Sequence, residues 1–171
     1  MALVAVGDAA AFQVLALRHT PVVLALARRM LGNGADAQDV AQETLLRLWR
    51  QAGRWNPAKG EARSWLLRIA ANLCIDRSRR RRFWPLEEAD EVADPSTGAE
   101  AGLLDAEARA RVAAAVASLP ARQRAAVALF YDAGLPGAEV AAAVGMNEAA
   151  LWQTLRRARL ALAASLGDLL K

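Results

Sequence analysis

Cysteine is all but missing from this chain: among 171 residues only Cys74 carries a thiol. That excludes a disulfide framework and any cysteine-based zinc site, and it fits a reducing compartment. Histidine is as scarce. His19 stands alone just before Pro21, with no nucleophile or carboxylate pattern around it, and is expected at the surface or at a boundary. No glycine-rich phosphate loop and no metal-ligand spacing occurs. Catalysis, a cofactor and a bound metal therefore have no residues to carry them. Aromatic residues make up 5% of the chain, and runs of Val, Ile and Thr are few, which argues against β-sheet. No apolar stretch reaches the roughly 18 uncharged residues that a membrane span needs. Met1 to Ala11 lacks a basic leader and carries Asp8. Neither a signal peptide nor direct membrane insertion is expected, and the chain is expected in the cytoplasm.

What is present is Ala, Leu and Arg, all good helix formers. The composition predicts an all-α protein. Charge is sorted along it. Residues 1–85 carry 14 Lys/Arg against 6 Asp/Glu, residues 86–107 carry 8 Asp/Glu and no Lys or Arg, and residues 108–171 carry 8 Lys/Arg against 4 Asp/Glu. Two basic blocks flanking an acidic one suggest a polyanionic partner and a solvated connector. The acidic stretch is also broken by Pro85, Pro95, Gly98 and Gly102 and has no apolar period, so it cannot offset the entropy of ordering. The expected organisation is a helical domain at 1–85, a flexible acidic linker at 86–103 and a second small helical domain at 104–171. Helices are predicted near 8–18, 21–31, 36–52 and 61–80 in the first domain. In the second they are predicted near 104–118, 121–132, 136–144 and 148–166.

Three helices carry candidate binding residues. On 36–52, a projection at 100° per residue buries Val40, Ala41, Thr44, Leu45, Leu48 and Trp49. It leaves Asp39, Gln42, Glu43, Leu46, Arg47 and Arg50 outside. A leucine among carboxylates and an amide has the chemistry of a docking stripe, with charge setting register and one apolar anchor giving affinity. The same pattern also fits a solvated face with a Glu43–Arg47 pair.

On 61–82, Leu66, Ile69, Ala70, Leu73 and Cys74 are expected in the core. Trp65, Arg68, Asn72, Asp76 and Arg79 recur along one adjacent face. An indole, guanidinium groups and a carboxamide can stack on an unpaired base, contact phosphates and hydrogen-bond base edges. Arg79, Arg80, Arg81 and Arg82 form a cluster suited to phosphates.

On 148–166, reached from 136–144 through Gly145, Met146 and Asn147, the pattern is helix-turn-helix. Leu151, Leu155, Ala158 and Leu162 face inward. Ala149, Ala150, Gln153, Arg156 and Arg157 face out, where a recognition helix meets the major groove. Asn147 is placed to cap its start.

The motifs and their order resemble the extracytoplasmic-function sigma factors, the smallest sigma type, which keep only regions 2 and 4. DAQDVAQETLLRLWR (36–50) is similar to the region 2 helix that binds the polymerase clamp helices. The resemblance implies that role for Asp39, Gln42 and Glu43, with Leu46 beside them. ARSWLLRIAANLCIDRSRRRR (62–82) is similar to the helix that reads and melts the −10 element, which implies −10 recognition by Asn72 with Trp65 and Arg68 and phosphate contacts by the arginine cluster. Residues 117–145 and 155–162 are similar to region 4, which binds the −35 element, and imply that role for Gln153, Arg156, Arg157 and Arg159. Where the family commonly places a lysine and an arginine, this chain has Trp152 and Thr154. The implied partners are the RNA polymerase core, through its clamp helices and flap, promoter DNA, and an anti-sigma factor that can hold the chain at the membrane. No small-molecule substrate is implied. The alternatives are a decoy that binds an anti-sigma protein without transcribing, and a plain helix-turn-helix regulator.

Overall fold

A computed structural model describes residues 1–83 and 101–167, and every described element is helical. The acidic linker expected at 86–103 lies outside the described residues except for its last three positions, which already belong to a helix. The helices are α1 (Ala2–Ala5), α2 (Ala9–Leu31), α3 (Gly34–Gln51), α4 (Ala62–Phe83), α5 (Ala101–Ser118), α6 (Ala121–Val127), α7 (Gly137–Val144) and α8 (Glu148–Leu166). Short 3₁₀ turns at Ala52–Arg54 and Pro57–Lys59 join α3 to α4, and α6 runs on into a π-helical turn at Ala128–Asp132.

Local chemistry fixes several helix ends. Asp8 accepts from the amide of Ala11 at 2.9 Å, Asn33 from Asp36 at 3.1 Å, and Asn147 from Ala150 at 2.8 Å. Each such cap is worth about 1 kcal/mol. Gly32 and Gly145 close α2 and α7 with φ of 67° and 70°, a conformation that costs other residues strain. Pro120 and Pro136 sit one residue before their helices, at the N-cap positions.

Two expectations are corrected here. The predicted break between 18 and 21 is absent: α2 runs unbroken through Pro21. Leu17, whose oxygen loses its donor to the proline ring, is exposed together with Pro21, so water can replace the lost hydrogen bond. By length and composition α2 is also apolar enough to cross a membrane, although Arg18 and His19 interrupt it. In this fold Val23, Leu26, Ala27 and Met30 are its buried side. His19, expected near the surface, is buried at 8% exposure. Burial, then the charges of Arg18 and Arg63, lower its pKa from the ordinary imidazole value.

The buried side chains form one cluster from Val23 to Ala158 that runs through both halves of the chain. The first half contributes α2, α3 and α4, and the second folds α6, α7 and α8 around Leu129, Val140, Leu151 and Leu155. Polar groups tie the halves as well. Arg63 donates to the oxygen of Ala133 at 2.8 Å, and Arg29 pairs with Asp132 at 3.3 Å. Arg124 donates to the oxygen of Met30 in the last turn of α2, where a helix has carbonyls to spare. It also donates to Leu119 at 3.0 Å. Burial between the two halves lowers its pKa from the ordinary guanidinium value.

Candidate nucleic-acid interface

On α3 the apolar period works as expected for Val40, Ala41, Thr44 and Leu48, all buried. Thr44 is fully buried at no cost in hydrogen bonding, because its hydroxyl donates to Val40 oxygen at 2.7 Å. Trp49 is a correction: it is 38% exposed, and its ring meets Phe12 of α2 edge-on with centroids 5.1 Å apart. It lies at the margin of the buried arc. The outer side carries Asp39, Gln42 and Leu46 exposed, with Leu46 at 43%. Glu43 is half-buried and accepts from Arg47 Nε at 2.8 Å.

This stripe does not stand alone. Asp36, Asp39, Gln42, Glu43 and Leu46 share a groove with Leu73, Asp76, Arg77, Arg80 and Arg81 of α4. Arg77 Nη2 lies 2.8 Å from both Asp36 and Asp39, and Arg81 lies 3.2 Å from Asp36. The arginine cluster therefore divides. Arg81 turns to the acidic residues of α3, Arg80 lines the same groove, and Arg79 lies on the other side of α4 beside Ser118, Pro120 and Arg122. Arg82 is the penultimate residue of α4, and its side chain lies outside the described residues.

Along the face of α4 that continues from Arg79, Arg68, Asn72 and Asp76 are exposed and Trp65 is half-buried. The core side differs from expectation. Leu66, Leu67, Ala70, Ala71, Cys74 and Ile75 are buried, while Ile69 and Leu73 are only partly so. The reason is that α4 packs against α2 and α3 on one side and against α6 and α7 on the other, which widens its buried arc. Burial pushes the Cys74 thiol up to about 12, so it is a protonated core residue.

Trp65 and Arg68 line a pocket with Arg54, Trp55, Asn56, Gly60 and Ser64 from their own half and Ala138, Glu139 and Ala142 of α7 from the other. One carboxylate oxygen of Glu139 and the indole N–H of Trp55 are buried there without a hydrogen-bond partner. These contacts join residues more than seventy positions apart, and no local sequence pattern points to them.

On α8, Leu151, Leu155 and Ala158 are buried, and Gln153, Arg156 and Arg157 line one open groove with Leu160. Arg159 is exposed outside that groove. Trp152 is 49% exposed, and its inner edge meets Phe130 with centroids 5.3 Å apart. A Cβ at position 137 would lie 2.9 Å from its ring, so Gly137 leaves the space that this indole fills. Trp152 thus packs on the neighbouring helix while still offering a ring to solvent, and the half-exposed Tyr131 packs on the same Phe130.

Comparison with known proteins gives the family and the fold. The family profile for Sigma-70 region 2 matches residues 15–83, and that for Sigma-70, region 4, matches residues 109–162. The ECF RNA polymerase sigma factor SigL of Mycobacterium tuberculosis (strain H37Rv) is 32% identical over 166 residues, covering 96% of this chain and 94% of its own. SigF of Caulobacter vibrioides, also an ECF RNA polymerase sigma factor, is 36% identical and covers 92% and 86%. Among solved structures, CnrH in complex with the cytosolic domain of CnrY superposes with a TM-score of 0.72 at 28% identity, covering 98% of this chain and 94% of that one. The sigma factor RpoE of Bartonella quintana, solved with the anti-sigma factor NepR, shares the fold with a TM-score of 0.73 at 23% identity, covering 91% and 96%.

Proposed function

The chain belongs to the sigma-70 family, in its extracytoplasmic-function group, and from that premise we propose a division of labour among its three exposed helix faces. Asp39, Gln42, Glu43 and Leu46 of α3 dock on the clamp helices of core RNA polymerase. Trp65, Arg68 and Asn72 of α4 take the unpaired −10 strand, and Arg79, with Arg80 and Arg82 of the same cluster, holds its phosphates, while Arg81 stays paired with Asp36. Gln153, Arg156, Arg157 and Arg159 of α8 meet the −35 element. A sigma factor lends specificity to another enzyme's active site and performs no chemistry itself.

The observation that carries this reading is Leu46, a leucine left exposed in the middle of a charged face. Folding leaves 43% of it uncovered, and a partner helix gains about 25 cal/mol per Å² of that apolar surface covered. The Arg77 bridge to Asp36 and Asp39 orients the acidic side of the same groove.

Control by a second protein is part of the proposal. CnrH, a structural relative, is bound to the cytosolic domain of another protein. Sigma factors are soluble transcription factors, and a partner with such a domain would hold this one in the cytoplasm beside a membrane. The half-exposed indole of Trp152 supplies an aromatic anchor for a protein partner on region 4. Size-exclusion chromatography with core polymerase tests the proposal: the chain co-elutes with core, and a chain that elutes alone at micromolar concentrations contradicts it.

A further inference from the structure

Arg124 is a cation folded into a place that supplies no anion. Its Nη1 donates to the oxygen of Met30, and its Nη2 donates to the oxygens of Ala117 and Leu119, the latter at 3.0 Å. All three acceptors are neutral carbonyls. Its Nε is buried with no hydrogen-bond partner among the described residues. Burial lowers its pKa, with no carboxylate beside it to favour the charge. Neutral oxygens offset only part of what it costs to take a guanidinium out of water.

Two further arginines converge on the same place. Arg79, near the end of α4, and Arg122, in the first turn of α6, line with Arg124 a groove of about 730 Å³ between α4 and the α5–α6 corner. The lining holds these three cations and no carboxylate. Among the described residues none of the three makes an ion pair, whereas Arg77 and Arg81 of α4 turn to Asp36 and Asp39. Ser78 adds a hydroxyl to the groove. Ser118 has none to offer, because its own donates to the oxygen of Ala115 at 2.7 Å.

Three like charges around one space repel each other, and an anion placed among them reverses the sign of that interaction. A guanidinium fork pairs two oxygens at once, so three forks arriving from different elements suit a group with oxygens on several sides. A phosphoryl group has that shape, where a single carboxylate presents one flat edge. We propose that the groove of Arg79, Arg122 and Arg124 is a binding site for a phosphate or pyrophosphate group. Its occupant bridges α4 and α6 and stabilises the folded chain by mass action. The site is distinct from the α8 face, where Arg156 and Arg157 line a separate groove. It holds whether or not Arg79 also meets DNA.

Thermal melts of the full chain test this with sodium pyrophosphate, with sodium chloride at matched ionic strength, and with a single-stranded DNA 12-mer of mixed sequence. Arg122→Gln removes one cation from the groove, and Arg79→Gln with Arg122→Gln removes two. Arg156→Gln with Arg157→Gln removes two from α8 as the matched control. All four positions are exposed, so each variant should fold, and its melt without ligand checks that. Pyrophosphate at a hundred times its Kd should raise the wild-type melting temperature by about 5–10 °C, and chloride should not. In Arg122→Gln the concentration giving half that shift should rise about tenfold, the usual worth of one hydrogen bond to a charged group. The double groove variant should lose the shift and the α8 variant should keep it. A shift given by pyrophosphate and lost in the groove variants makes a free anion the occupant. A shift given by the 12-mer alone, and lost in the same variants, makes the DNA backbone the source of the phosphate. Equal shifts in wild type and the double groove variant, equal shifts with pyrophosphate and chloride, or no shift with either phosphate source overturn the proposal.

Discussion

Arg77 on α4 holds Asp39 on α3 at 2.8 Å, and the same guanidinium nitrogen lies 2.8 Å from Asp36. The acidic face proposed to meet polymerase is thus positioned from the helix proposed to meet DNA. Both sides of the pair are partly solvated, so its contribution to stability is small, about 0–1 kcal/mol.

The double variant Asp39→Arg with Glu43→Arg should therefore stay folded, because Asp36 still engages Arg77 and Arg81. Its stability should fall by no more than about 1 kcal/mol, the sum expected of two surface substitutions. Binding to core polymerase should be lost. A thermal melt and a pull-down on core measure both, and a folded double variant that still binds core would remove the α3 assignment.

Asn72 and the arginine cluster should separate sequence from charge. Asn72→Ala should slow promoter opening at cognate −10 sequences and leave other sequences little affected. Replacing Arg79 and Arg80 with alanine should weaken binding on every DNA and flatten its salt dependence, since each phosphate contact adds to the slope. Permanganate footprinting and a salt titration read these effects. Equal losses on all sequences in both variants would refute the division.

On α8, Arg157→Ala should cost about 1–3 kcal/mol of discrimination at one base pair of the −35 element, the usual worth of a bidentate contact. Trp152→Ala should leave DNA discrimination intact, because the ring packs on Phe130 beside Gly137. Promoter competition with intact chain and core polymerase compares the two. A loss of discrimination confined to Trp152→Ala would reverse the roles.

Much of this was readable in the sequence. The 3.6-residue period of α3 places Val40, Ala41, Thr44 and Leu48 inward and Asp39, Gln42 and Leu46 outward. Asn147 announces the start of α8 by the chemistry of its side chain. The failures share one cause: the deciding contact was made by a distant segment. Leu67, Ala71 and Ile75 are buried because α4 has helices on two sides, and a single-face projection cannot show the second. Trp49 lies at the margin of the α3 arc, where it meets Phe12 of α2 edge-on and keeps a solvent-facing side. Pro21 continues a helix where local rules end one, since packing of Val23 to Met30 holds the chain in line. The seam that brings Glu139 to Gly60 lies seventy-nine positions apart in the chain, so it leaves no local trace.

His19 makes the fold acid-sensitive. Its folded pKa is lowered by burial, while the unfolded chain titrates near 6.5. Above that pH neither state binds the proton, and the residue has no effect on stability. As pH falls below it the unfolded chain takes up the proton first, so stability declines. The melting temperature should fall between pH 7 and pH 5, and His19→Gln should flatten that slope. An unchanged slope in the variant would place the acid sensitivity elsewhere.

The central claim is that this chain directs core RNA polymerase to particular promoters through two DNA-binding halves. Run-off transcription with purified core polymerase, the full chain and a library of genomic fragments measures it directly. The account predicts discrete transcripts with defined start sites that disappear when the chain is omitted or carries Asp39→Arg with Glu43→Arg. Transcripts identical with and without the chain would contradict it.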